Sequence, residues 1–180
     1  MKINQKITGS FLVILSLTLL SLSIFNFTLT KTYATNYLQE NVGKQFNTEV
    51  QCLAENIYYE AGSESFEGKL AVAQVTINRA NSGKFKSTIC GVVKQKDIIN
   101  GLAVCQFSWF CDPFKHAMRN KYQWEESMVV ANKALTQPHV HDSLYKLNAL
   151  YYHNTSVHPQ WNLTRVGQIG NHIFYREKKI

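Results

Sequence analysis

The sequence predicts an α+β domain preceded by a separate apolar helix. Three observations carry that expectation. Apolar residues recur at helical spacing from Val50 to Ala80, aromatic-rich alternating segments occupy 148–154 and 171–176, and a charge-free run fills 7–30. Helices first and strands last indicate helices packed beside an antiparallel sheet rather than interleaved with it.

In chain order, Lys2 and Lys6 precede the run from Ile7 to Thr30, whose centre reads FLVILSLTLLSLSIF. It exceeds the apolar part of a typical signal peptide and is long enough to span a bilayer. Thr32-Tyr33-Ala34 is a poor cleavage site, so residues 1–31 read as a signal anchor in preference to a cleaved signal peptide. Positive charge before the run places the remainder outside the cytoplasmic membrane, anchored there or secreted to the periplasm or wall. Residues 32–47 read as a polar tether. Residues 48–180 are then a normal size for one core.

The first helix of that domain carries the stripe Val50, Leu53, Ala54, Ile57, Tyr58 and Ala61. Gly62 is expected to end it at positive φ. Ser63, Glu64 and Ser65 offer N-cap oxygens for a second helix. Its seam is Phe66, Leu70, Ala73, Ile77 and Ala80, closed by Asn81-Ser82-Gly83. Glu60 falls on the apolar face, about two turns beyond Leu53. The negative end of the helix dipole and partial burial both disfavour a charged carboxylate, the direction a general acid needs. The same position also suits a glutamate at a frayed helix end pointing into water.

Beyond Gly83, Ser87 or Thr88 can cap a short helix through Val93, and 94–104 reads as a surface loop. Gln106-Phe107-Ser108-Trp109-Phe110 is either the lining of a sugar-binding cleft or an ordinary buried strand. Trp124, Met128, Ala131 and Leu135 give another helical seam, stopped by Pro138. Four cysteines on the exported side suggest disulfides. Cys105 with Cys111, and Cys52 with Cys90, is one of three possible pairings.

A formal charge of +7 suits an anionic polymer such as the cell wall. Nucleic acid is not expected as a partner, because the Lys and Arg residues are dispersed and no nucleic-acid motif emerges. Six histidines invite a metal. His139-Val140-His141-Asp142 could chelate from a strand end, but no further ligand sits at a diagnostic spacing, and no metal or organic cofactor is expected.

The runs AENIYYEA (54–61), ESFEGKLAVA (64–73) and Ile77-Asn78-Arg79 resemble the SleB-type cell wall hydrolases. These are the spore cortex-lytic and related phage or bacterial peptidoglycan enzymes. The resemblance continues through ICGVV (89–93), CQFSW (105–109), Tyr152-His153 and GNHIFY (170–175), and covers about residues 50–176. Gly62-Ser63 stands where that family usually has Arg-Gly. The absent guanidinium is one that could bind substrate or hold a second carboxylate.

The resemblance implies a lysozyme-like helical lobe with a small antiparallel sheet, the glutamate helix flooring a cleft. It implies Glu60 as the catalytic acid, acting alone although Glu64, Glu67 and Asp112 are available as second carboxylates. The expected contacts to peptidoglycan glycan strands are Glu64, Gln106, Ser108, Trp109, Tyr152, His153 and His172. For the two histidines the other reading is a pair of half-buried, hydrogen-bonded strand residues. The implied activity is a lytic transglycosylase cutting the MurNAc–GlcNAc bond to leave 1,6-anhydro ends. The alternatives are a hydrolytic muramidase or amidase on the same polymer, or a wall-binding module without activity.

Overall fold

Helix α1 runs from Asn4 to Ala61, so the stretch expected as a tether is helical. No proline interrupts 32–61, and the one glycine there, Gly43, costs only about 1 kcal/mol of helix propensity. The structure is a computed structural model that describes residues 4–112, 114, 120–137 and 148–178, with the backbone alone for 4–14. The chain divides into two units, Met1–Gln45 and Phe46–Ile180.

In the first unit every described side chain from Leu15 to Gln45 is exposed. The hydroxyls of Thr18, Ser21, Ser23, Thr28, Thr30, Thr32 and Thr35 donate to carbonyls three or four residues back, which satisfies them within the helix. Among the described residues no helix is long and apolar enough to cross a membrane. The expected membrane-spanning helix is therefore without support there. Asn26 and the hydroxyl residues dilute the part of the run whose side chains are described, and Lys31 follows it directly.

The second unit holds the core. Val50, Leu53, Ala54, Ile57 and Ala61 are buried as their spacing predicts. Val50, Leu53, Ala54 and Ile57 pack in a cluster with helix α2, Phe66–Asn81. Ser65 caps α2 by accepting from the Gly68 amide at 3.2 Å. The joint differs from expectation at Gly62. Among the described residues the glycines at positive φ are Gly83, Gly101 and Gly170. A Cβ at Gly62 would lie 2.5 Å from the Tyr58 carbonyl oxygen, so the site needs no side chain rather than an unusual φ. α2 is also buried on more than the expected seam. Val72, Val75 and Thr76 are inside as well as Leu70 and Ala73, because α2 is the helix the others pack around.

Helix α3, Ile89–Val93, is capped by Thr88. The Cys52–Cys90 disulfide ties it to α1, and Cys105–Cys111 closes the second bridge. Residues 94–104 are a hairpin rather than a loop. β1 (Lys96–Ile99) pairs with β2 (Leu102–Cys105) across Asn100-Gly101, both at positive φ as a tight hairpin turn requires. Both strands are exposed almost throughout, so no alternation marked them. Ser108–Cys111 forms the short helix α4, not a strand. α5, Lys121–Thr136, is capped by Asn120 and packs on α2.

The last layer is an antiparallel sheet of β3 (Tyr151–Asn154), β4 (Thr164–Ile169) and β5 (His172–Arg176), ordered β3-β5-β4. β4 escaped the sequence reading because a register shift between Arg165 and Gly167 breaks its period of two. The second unit is thus α+β, mostly helical with small antiparallel sheets. Pro138 and His139-Val140-His141-Asp142 lie outside the described residues.

Candidate active site

Strand alternation decides which aromatic and imidazole side chains meet the helices. Tyr152 pairs with Phe174 across β3 and β5, and His172 stands two residues from Phe174, so the three share one sheet face. His153 falls on the other face, stacked on Tyr175 with centroids 5.2 Å apart. Both its ring nitrogens are engaged, by the Asn154 carbonyl at 2.8 Å and the Tyr175 hydroxyl at 3.0 Å. His153 and His172 were expected together beside a cleft. The period of two separates them.

Glu60 sits in the last turn of α1, and the Tyr152 hydroxyl donates to its Oε2 at 3.0 Å. Burial pushes the Tyr152 phenol well above its usual range, and the neighbouring Glu60 charge pushes it the same way. Tyr152 is therefore a neutral donor. Two bonds from α2 fix the approach to β3: Asn78 Nδ2 donates to the Ala149 carbonyl at 3.0 Å, and Arg79 Nε to the Leu150 carbonyl at 2.7 Å. The Arg79 guanidinium is buried among Phe85, Phe107 and Tyr151, its carbon 5.1, 5.2 and 5.9 Å from their centroids. Burial lowers its pKa, and the neighbouring Glu60 carboxylate opposes that shift.

Glu64 lies beyond the joint, and its side chain is only 7% exposed. The Asn171 backbone amide donates to Oε2 at 3.2 Å and the Asn171 side-chain amide to Oε1 at 3.0 Å. Gly170, at φ 55, makes that approach possible, since a Cβ there would lie 2.1 Å from Oε2. His172 Nδ1 stands 3.9 Å from Oε1. Burial lowers the His172 pKa below 6.5 while Glu64 pulls it up.

The aromatic loop divides. Trp109 is in the core at 3% exposure, stacked on Tyr59 with centroids 4.5 Å apart, and its Nε1 donates to Asn56 Oδ1 at 3.1 Å. Expected as a sugar contact, it is instead part of a buried network in which Asn56 Nδ2 donates to Thr76 Oγ1. Ser108 is exposed and Gln106 half-buried, the backbone amide of Gln106 bonded to the Gln95 carbonyl. Asn171 was missed as a site residue, although it sits in the same short motif as His172. Among the described residues no group of three His, Cys, Asp or Glu could hold a metal.

The sequence profile of the family described as Cell Wall Hydrolase matches residues 63–175, more than half of the chain. The chain belongs to this family. Spore cortex-lytic enzymes are among its relatives. That of Oceanobacillus iheyensis is 30% identical over 129 residues, covering 70% of this chain and 41% of that protein. That of Bacillus subtilis is 29% identical over 131 residues, covering 71% of this chain and 37% of that protein. The chain thus spans about two fifths of the length of these curated relatives. The crystal structure of the catalytic domain of the Bacillus cereus SleB protein is also similar. It has a TM-score of 0.50 at 25% identity and covers 72% of this chain and 91% of that one. Glu64, Tyr152 and His172 fall inside the stretch matched to the cell wall hydrolases, and Glu60 stands just before it.

Proposed function

We propose that this cell wall hydrolase degrades peptidoglycan as a glycosidase, and that it works as a lytic transglycosylase with Glu60 as its acid. The observation that carries the reading is the Tyr152–Glu60 hydrogen bond, which orients a helix-end carboxylate by a neutral donor. Glu60 gives its proton to the glycosidic oxygen between N-acetylmuramic acid and N-acetylglucosamine as the bond from C1 to that oxygen breaks. The resulting carboxylate takes the proton of the muramic C6 hydroxyl while that oxygen bonds to C1. A 1,6-anhydro ring closes, Glu60 is protonated again, and no water is consumed. Positioned acid–base catalysis of this kind contributes about 10²–10⁴-fold. His172, with exposed Ser108 and half-buried Gln106, is proposed to contact the glycan.

The test is mass spectrometry of fragments released from purified wall. Anhydro ends support the proposal, whereas reducing ends indicate a muramidase and free stem peptides an amidase. No release at all leaves a wall-binding module. The same proposal has the chain exported, which suits its two disulfides. It also has the apolar N-terminal run holding the chain at the membrane. Extraction of the full chain from membranes by alkaline carbonate would refute that attachment.

A further inference from the structure

The β1–β2 hairpin exposes its aliphatic side chains. Ile98 and Leu102 are 72% and 71% exposed, with Ile99 and Val104 exposed beside them. The register pairs Ile98 with Ala103, Ile99 with Leu102 and Asp97 with Val104. Successive pairs point to opposite faces, so one face carries Ile98 and Ala103 and the other Ile99, Leu102 and Val104. An antiparallel element packed on its own core would hide one of these faces. Here both are apolar and both are exposed.

The hairpin is fixed at its base and basic there. A two-stranded hairpin alone is marginal in water. This one is stapled by Cys105–Cys111, and the Gln106 amide donates to the Gln95 carbonyl at 3.0 Å. Lys94 just before β1 and Lys96 at its start are both exposed, and Lys96 Nζ stands over the Phe110 ring at 4.8 Å. The Lys86 amide donates to Gln95 Oε1 at 3.5 Å, which brings a third exposed lysine to the same base. Asp97, which accepts from Gln95 Nε2 at 3.4 Å, is the one carboxylate between residues 94 and 105.

We propose that the hairpin tip inserts into the surface of an anionic lipid bilayer, with Lys86, Lys94 and Lys96 at the level of the headgroups. Fluid lipid surrounds both apolar faces at once, whereas a second copy adding a strand covers only an edge. A soluble polyanion would take the lysines and leave the aliphatic tip in water. The dimensions agree with insertion. Ile98 lies two residues, roughly 7 Å, behind the turn. Amphipathic segments sink roughly 5–10 Å at the headgroup boundary. Lys96 lies a further two residues back, and a lysine stem can cross apolar surface while its ammonium stays among the headgroups. This contact is separate from the N-terminal run and does not rest on the glycosidase reading.

The experiment places a nitroxide at Ile99→Cys in the full chain and adds vesicles of phosphatidylcholine mixed with phosphatidylglycerol. Collision of the label with oxygen and with a water-soluble nickel chelate reads this position alone, whatever the N-terminal run does. The expected result is a label that oxygen reaches and the nickel chelate does not. Replacing all three lysines (Lys86→Gln, Lys94→Gln, Lys96→Gln) should lower the docked-to-free ratio about 100-fold, roughly fivefold per cation. Vesicles of phosphatidylcholine alone should lower it in the same way. Free access of the nickel chelate to the label in the mixed vesicles overturns the proposal. Docking that is unchanged both in the triple variant and on neutral lipid overturns it too. So does a label shielded from both reagents, and spin–spin broadening would then identify a second copy as the occupant.

Discussion

Glu60 and Glu64 flank one tight joint, and the sheet meets them in different ways. At Glu60 the contact is the end of a long side chain, the Tyr152 phenol reaching across from β3. At Glu64 it is a turn, with the backbone and side-chain amides of Asn171 each taking one carboxylate oxygen. A carboxylate gripped by both oxygens in a site this buried is a tie between α2's start and the β4–β5 turn. One oriented by a neutral hydroxyl suits proton transfer. The difference separates two residues that look equivalent as acids on paper.

The largest expected effect breaks the comparison at Glu60. Glu60→Gln keeps shape and can still accept from Tyr152, so the protein should melt as the wild type does. Turbidity clearing of purified wall should fall about 10²–10⁴-fold. Glu64→Gln is the partner experiment. If it is folded and equally inactive, the distinction between tie and acid collapses and a two-carboxylate mechanism replaces it.

Next comes Gly170→Ala. It puts a methyl on top of Glu64 Oε2 and on a backbone at φ 55, so about 1–3 kcal/mol of stability should go. Urea denaturation reads this directly. A variant as stable as wild type would mean the Glu64 turn is not the tie described.

Tyr152→Phe sharpens the other side. The ring still packs on Phe174 and His172, but the hydroxyl donor to Glu60 is gone. Wall lysis should fall about tenfold, the scale of one hydrogen bond to a carboxylate. Stability should change little, and a large drop in melting temperature would assign Tyr152 to the core instead.

The smallest effect is a pH dependence at His172. Burial lowers its pKa in the fold below the 6.5 of a free imidazole. The unfolded chain therefore binds that proton more readily. The contribution to stability is full above about pH 6.5 and is lost as pH falls through the lower folded value. Melts across mildly acidic pH should show wild type losing more than His172→Gln. Identical slopes would remove His172 from the titrating groups.

The sequence by itself determined whatever depends on near neighbours. Helical spacing marked the buried face of α1 from Val50 to Ala61, cap candidates at Ser63, Glu64 or Ser65 and at Ser87 or Thr88 marked helix starts, of which Ser65 and Thr88 serve, and alternation marked β3 and β5. These are local rules of backbone period and end-group satisfaction. Signals failed where the local rule was absent or interrupted, as in the exposed β1–β2 hairpin and the shifted register of β4. The resemblance also singled out the joint and implied Glu60 as the acid, but it did not show how either glutamate is held. That needed long-range contacts. Alternation says that Tyr152 and His153 point opposite ways, yet only packing decides which face turns toward α1 and α2. Hence Tyr152 reaches Glu60 while His153 bonds Tyr175 on the far side. Trp109 follows the same logic, since an aromatic loop residue becomes core or cleft according to what stands opposite it. Here a buried amide, Asn56, faces its indole N–H, and satisfying both buried polar groups fixes the ring inside.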